Sequence, residues 1–170
     1  EIENHPDLYK KFYSQTSFTW GKTLGSGQAI TQGNRNPLLG RVPGADGLKT
    51  GHTSSAGYCL VSSAKRDDMR LIVVVMGTES ERARVVETQK LFAYGFRYYR
   101  TQKLYSKGDK LADVRVWGGE VEQLPLVMDE DVLVTALRAN AETVKTEQAL
   151  NKYIEAPIKK GDKLGELVIH

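Results

Sequence analysis

A cation, a hydroxyl and a residue without a side chain stand together at Lys49-Thr50-Gly51, inside the stretch Asp46-Gly47-Leu48-Lys49-Thr50-Gly51-His52-Thr53. On an extended strand side chains alternate between faces, so Lys49 and Gly51 share one face. The lysine would then reach into a cleft, and the next residue on that face would add no bulk. A peptide substrate could lie close against the backbone there, one of the few reasons to place glycine inside a strand. Alone, the tripeptide also reads as an ordinary turn. Its setting, ahead of two strand-like runs and a capped helix, makes it a candidate site.

Such a site needs a reacting group, and the chain offers few. Ser62-Ser63-Ala64-Lys65 has a spacing at which a lysine amine could take a serine proton. On a helix, residues three apart share a face. On a strand an odd spacing sends them to opposite faces, and Ser62 falls in a strand-like run, so the pair is rejected. Cys59 is the single cysteine, which leaves no intrachain disulfide; it reads as a small buried hydrophobe. Gly21-Lys22-Thr23 imitates the end of a phosphate-binding loop, but the glycine required five residues earlier is Thr16. Gly25-Ser26-Gly27 imitates a dinucleotide fingerprint, but its third glycine would be Ile30. Residues 21–33 are therefore expected to form a surface loop.

The 170 residues leave room for one large domain or two small ones, and a composition 40% hydrophobic and 26% charged is that of a soluble globular protein. Residues 1–97 carry 13 basic and 9 acidic side chains and residues 98–170 carry 11 and 12, so neither part has the basic footprint of a nucleic-acid binder. No apolar run approaches the ~20 residues of a membrane-spanning helix. The chain starts in the polar stretch Glu1-Ile2-Glu3-Asn4-His5-Pro6 and stops within a strand-like run, Gly165-Glu166-Leu167-Val168-Ile169-His170. It is taken to be a piece of a longer protein.

Several elements would position the tripeptide. The pair His5-Pro6 opens a short helix near Asp7 to Ser14, with His5 a surface or capping residue, and Ser17 to Trp20 is extended. Ala56 to Ala64 and the β-branched run Met69 to Gly77 form a hairpin around the polar turn Lys65-Arg66-Asp67-Asp68. With the Lys49 segment they make an antiparallel sheet. The second run reads as buried on both faces, and other strands outside this chain are expected to cover it. Thr78-Glu79-Ser80-Glu81 reads as a capping box. The helix after it, to about Phe96, would pack Val85, Val86, Gln89, Phe92, Ala93 and Phe96 on the sheet, with Arg84 off that face. From residue 98 the pattern changes to short alternating runs (Lys110 to Trp117, Val121 to Met128, Val132 to Leu137, Leu164 to Ile169), which indicate a small β-sandwich. Lys107 to Val114 and Lys160 to Leu167 echo one another as a turn followed by a strand.

Lys-Thr-Gly is one of three signatures of serine acyl-transferases that act on penicillin and peptidoglycan stems. Asp-Gly-Leu-Lys-Thr-Gly-His-Thr followed by Ser54-Ser55-Ala56-Gly57-Tyr58 resembles the low-molecular-mass penicillin-binding proteins, serine-type D-alanyl-D-alanine carboxypeptidases. Thr19-Trp20, Asn34-Arg35-Asn36 with Leu38-Leu39, Ala156-Pro157-Ile158 and Lys160-Gly161 extend the likeness over nearly the whole chain; the loop between Trp20 and Ile30 is longer than the family pattern. The resemblance implies an α+β fold: residues 1–97 as the end of a penicillin-binding/β-lactamase-like catalytic domain, antiparallel sheet plus helix, and residues 98–170 as an all-β sandwich domain.

It further implies removal of the terminal D-Ala from a peptidoglycan pentapeptide through an acyl-enzyme, with β-lactams acylating the same serine. Lys49 would supply positive potential and Thr50 a hydroxyl to the substrate carboxylate; Gly51 would make room, and the His52 N–H would be an oxyanion donor. Arg35 and Arg84 are candidates for the substrate carboxylate. The family's Ser-x-Asn is absent here and its Ser-x-x-Lys lacks a credible setting, so the nucleophile is expected in the N-terminal half of the same protein, and this chain alone should be inactive. No cofactor or metal is implied. The resemblance places the protein outside the cytoplasmic membrane, held by a C-terminal amphipathic helix not in this chain. A β-lactamase and a non-catalytic peptidoglycan-binding or scaffold protein are the competing readings.

Overall fold

The computed structural model describes residues 2–151 and 153–170. They divide into two compact units, Glu1–Arg97 and Tyr98–His170. The element order is α1 (Pro6–Phe12), β1 (Ser17–Lys22), β2 (Ala29–Gly33), β3 (Ala45–Thr53), β4 (Gly57–Arg66), β5 (Met69–Thr78), α2 (Glu81–Tyr98), β6 (Tyr99–Tyr105), β7 (Lys110–Arg115), β8 (Gln123–Val127), β9 (Val132–Leu137), a single 3-10 turn (Ala141–Thr143), β10 (Thr146–Leu150) and β11 (Gly165–Ile169). The fold is α+β, with every named strand pair antiparallel.

The first unit is built on the sheet β3-β4-β5. Cross-strand partners share a face. Thr50, Leu60 and Val75 stand in register, as do Leu48, Ser62 and Val73; Leu60, Ser62, Val73 and Val75 are buried. Helix α2 covers this face: a Cβ at Gly95 would lie 2.5 Å from Leu71 Cδ1, and the Arg66 guanidinium sits 4.0 Å over the Phe96 ring. The opposite face carries Lys49, Val61 and Val74 in register. Ile72, Val74 and Met76 are more than half exposed there. The expected burial of β5 on both faces is therefore met on one.

Helix α1 docks on that second face. Tyr9, 3% exposed, donates its hydroxyl to Asp46 Oδ1 at 2.9 Å, and Arg70 Nη1 reaches both Asp46 carboxylate oxygens, at 2.9 and 2.8 Å, and Ser63 Oγ at 2.5 Å. A polar cluster thus pins the start of β3, just ahead of Lys49.

Three local expectations are corrected. Residues 21–33 are not a loop throughout: β2 pairs with β1 as a hairpin, with Thr19 and Thr31 hydroxyls 2.8 Å apart. Its glycine-rich tip, where Gly25 and Gly27 take positive φ, masks a five-residue strand with one bulky apolar residue, Ile30. Helix α2 is capped by Ser80, whose Oγ accepts the Ala83 N–H at 3.0 Å; Thr78 still belongs to β5 and donates to the Tyr58 carbonyl. The cap two residues later turns the buried face to Arg84, Thr88, Phe92, Gly95 and Phe96. Arg84 is thus on the packed face, not off it. Thr88 is tolerated inside because its hydroxyl donates to the Arg84 carbonyl at 2.7 Å.

The second unit is all β: ladders β6-β9, β7-β8 and β10-β11. Strands β6 and β10 were not anticipated, since neither shows the alternation of its partners. The echoed segments use one device. Asp109 and Asp162 each accept a backbone N–H three residues back, from Ser106 and Lys159 at 2.7 Å, beside Gly108 and Gly161 at φ 91° and 99°.

Candidate functional site

The Lys-Thr-Gly segment is extended, inside β3, with β4 on one side and no partner on the other among the described residues. Alternation separates its members. Thr50, 9% exposed, is on the face packed by α2, while Lys49 is exposed on the other. Lys49 Nζ donates to the Thr50 carbonyl at 2.7 Å. A Cβ added at Gly51 would meet only Cys59 Cβ at 3.9 Å, an ordinary contact. Packing within this chain thus does not require glycine at 51; the space it leaves faces outward.

An open cavity of about 740 Å³ lies against Thr50, Gly51 and His52 and is walled by the first turns of α2. Four arginines line it, Arg35, Arg41, Arg82 and Arg84, against one carboxylate, Glu81. Such a cavity attracts anions. Arg35 gets there through its flanking asparagines. Asn34 Oδ1 accepts the Asn36 N–H at 2.9 Å, Asn36 Oδ1 accepts the Leu38 N–H at 3.1 Å, and Leu38 is fully buried. Two side-chain-to-backbone turns anchored by one leucine hold the exposed Arg35 between them. The turn continues through Arg41, whose N–H donates to the Leu38 carbonyl at 3.0 Å.

Arg84 differs from the other three. It is 4% exposed. Its Nη2 reaches Glu81 Oε1 at 3.1 Å, its Nη1 donates to the Gly51 carbonyl at 3.4 Å, and its guanidinium carbon lies 5.5 Å from the Tyr58 ring centroid. The Tyr58 and His52 rings are 4.0 Å apart, tilted by 30°. His52 itself is exposed.

Of the residues singled out from sequence, Thr50, Gly51, His52, Arg35 and Arg84 meet at this cavity. Lys49 does not line it, contrary to the shared cleft expected for Lys49 and Gly51: it stands over the opposite, partly uncovered face beside Val61 and Val74. Arg41 and Arg82 were missed; a cluster of arginines on either side of the tripeptide was the available signal. Ser62 is fully buried and donates to the Gly47 carbonyl at 2.9 Å, while Lys65 is exposed on the other face. No proton can pass between them. Among the described residues no group of three or more His, Cys, Asp or Glu side chains could hold a metal ion, and no helix is long and apolar enough to cross a membrane.

The first unit thus presents Lys-Thr-Gly on an extended strand at a sheet edge, with a helix packed on one face. Comparison with known proteins shows what this arrangement resembles. Residues 2–80 match the D-alanyl-D-alanine carboxypeptidase family and residues 99–170 match the C-terminal domain of penicillin-binding protein 5. D-alanyl-D-alanine carboxypeptidase DacD of Salmonella typhimurium is 36% identical over 99% of this chain, and DacA of Haemophilus influenzae 38% identical over 98%. Penicillin binding protein 5 from Haemophilus influenzae superposes with a TM-score of 0.80 over 99% of this chain at 38% identity. The chain belongs to the low-molecular-mass penicillin-binding proteins of the D-alanyl-D-alanine carboxypeptidase family. It spans 42% and 41% of those two carboxypeptidases and 48% of the solved chain.

Proposed function

We propose that residues 1–97 form one wall of a D-alanyl-D-alanine carboxypeptidase site whose nucleophilic serine lies in a part of the protein outside this chain. That serine Oγ attacks the D-Ala-D-Ala carbonyl, the C–N bond breaks, D-Ala leaves with a proton on its nitrogen, and water hydrolyses the ester. Lys49 supplies positive potential next to the reacting hydroxyl, from the face on which the upstream part packs. The Thr50 hydroxyl and the exposed Arg35 receive the substrate's terminal carboxylate. Gly51 lets the substrate backbone approach β3, and the His52 N–H is one of two donors to the oxyanion. A β-lactam, whose strained amide resembles the D-Ala-D-Ala end, acylates the same serine.

The observation that carries this reading is the extended Lys-Thr-Gly strand beside a cavity lined by four arginines. An anionic peptide terminus suits it. The protein would act on the outer side of the cytoplasmic membrane, where its polymeric substrate is, held by a C-terminal amphipathic helix. Residues 98–170 form a domain of their own in this scheme.

The test uses the full-length protein and this chain side by side. Fluorescent penicillin should label the former and leave the latter unlabelled. In the full-length protein Lys49→Ala should cut D-Ala release by at least about 100-fold, the scale for losing one electrostatic catalytic group, with the melting temperature nearly unchanged. Normal release by that variant would reduce the motif to a structural role, and labelling of the isolated chain would place a nucleophile within it.

A further inference from the structure

Arg84 is built into the site from behind. The Ser80 cap fixes the first turn of α2, and Arg84 N–H donates to the Ser80 carbonyl at 3.1 Å while its own carbonyl receives the Thr88 hydroxyl. From this pinned backbone the buried guanidinium reaches the Gly51 carbonyl and lies against Tyr58, which contacts the His52 ring. Its own side chain is 5% exposed, with Glu81 held on one nitrogen. Little of it is left to meet a ligand. Arg35, Arg41 and Arg82 are exposed and free to do so.

The Gly51–His52 peptide is a single rigid plane in which the carbonyl and the N–H point in opposite directions. A cation holding the Gly51 oxygen therefore also sets where the His52 N–H points, which is away from Arg84. A positive charge at the oxygen also polarises the amide and strengthens its N–H as a donor. We propose that Arg84 is a positioning residue for the oxyanion: it holds and polarises the Gly51–His52 peptide so that the His52 N–H meets the negative oxygen of the tetrahedral intermediate. This rests on the acyl-transfer function proposed above and replaces direct carboxylate binding by Arg84.

The test measures the full-length enzyme and its Arg84→Met, Arg84→Lys and Glu81→Gln variants on a D-Ala-D-lactate ester and its thiono counterpart, in which sulfur replaces the scissile carbonyl oxygen. Sulfur accepts hydrogen bonds poorly and is larger, so an intact oxyanion site prefers the oxo ester. Arg84→Met should lower kcat roughly 10- to 100-fold, less than the ~100- to 1,000-fold of a donor lost outright, because the His52 N–H is kept but misplaced. KM should change by less than about 3-fold and the oxo-over-thiono preference should shrink. Arg84→Lys should recover part of both. Glu81→Gln removes only the charge of an exposed partner, endangers folding least, and should shift the same preference by a smaller amount. A rise in KM with kcat intact would return Arg84 to the substrate carboxylate. An oxo-over-thiono preference unmoved in every folded variant would overturn the positioning role. A wild-type enzyme that neither releases D-Ala nor reacts with penicillin would instead remove the functional reading beneath it.

Discussion

Gly47→Ala tests how the site strand is held. Gly47 does not take positive φ, so the cost worked out here is the steric one. The new Cβ would lie 2.3 Å from Tyr9 Oη and 3.0 Å from Tyr9 Cζ. Tyr9 cannot swing aside cheaply. It is 3% exposed, hydrogen-bonded to Asp46 and stacked on Tyr13 at 5.4 Å. Overpacking of this kind costs roughly 1–3 kcal/mol, and displacing Tyr9 forfeits a further ~1 kcal/mol of hydrogen bonding. For a chain of 170 residues each kcal/mol is worth about 2–4 °C, so thermal unfolding should move down by roughly 4 °C or more. Tyr9→Phe removes the atom in closest conflict, so a double-mutant cycle should return a favourable coupling of about 1 kcal/mol, with a residual cost from Cζ. A Gly47→Ala protein that melts within 2 °C of wild type, or costs that simply add, would refute the claim that Tyr9 clamps the start of β3.

Three further outcomes are expected. Ser80→Ala should cost about 1 kcal/mol, as cap deletions do, and speed amide exchange at Ala83, whereas Thr78→Val should leave Ala83 protected; the reverse would restore Thr78 as the cap. Burial, ahead of the neighbouring Asp46, pushes the Tyr9 hydroxyl up from 10.0 to about 12. Because its folded value lies above the unfolded one, its stabilisation is complete below pH 10 and is lost as pH rises through 12, a decline of roughly 2–3 kcal/mol. Urea unfolding at pH 9 and 12 should show that extra decline in wild type and not in Tyr9→Phe. Ser62→Ala should cost about 1–3 kcal/mol by leaving a buried carbonyl short of a donor, yet full-length protein should keep its penicillin labelling; loss of labelling in a folded variant would make Ser62 the nucleophile.

What could be read from sequence was whatever period and punctuation express locally. Strands β4 and β5 were legible because β-branched residues run between polar turns, and their pairing followed from the short connection. The hairpin β1-β2 was not, because its pairing rests on threonines across the ladder and on a tip whose glycines resemble linker. Strands β6 and β10 were missed for a related reason: their side chains are mostly polar or half-exposed, so burial prints no alternation. In α2 the hydrophobic count pointed at Val85 and Val86, but the cap at Ser80 and close packing at Gly95 rotate the helix toward Arg84 and Thr88. A buried arginine and threonine leave no apolar signature. Their place is set by hydrogen bonds to Gly51 and to the helix backbone, which single-sequence reasoning does not contain.

The site repeats that lesson with a consequence for chemistry. Alternation on a strand was enough to pair Lys49 with Gly51, but not to say on which side of the sheet either would work. The arginine cavity opens on the side of Thr50 and His52, where α2 packs, while Lys49 stands on the side with the exposed Ile72, Val74 and Met76. A reaction that uses both must straddle β3, with the anion of the substrate near the arginines and the reacting hydroxyl over the lysine. The residue between the two sides is Gly51, where the strand carries no side chain and the chain's own packing asks for none. Gly51→Val should therefore fold normally in the full-length protein but block penicillin acylation, since its branched side chain would stand where the substrate backbone must cross. A Gly51→Val enzyme acylated at the wild-type rate would mean the substrate does not cross β3 there.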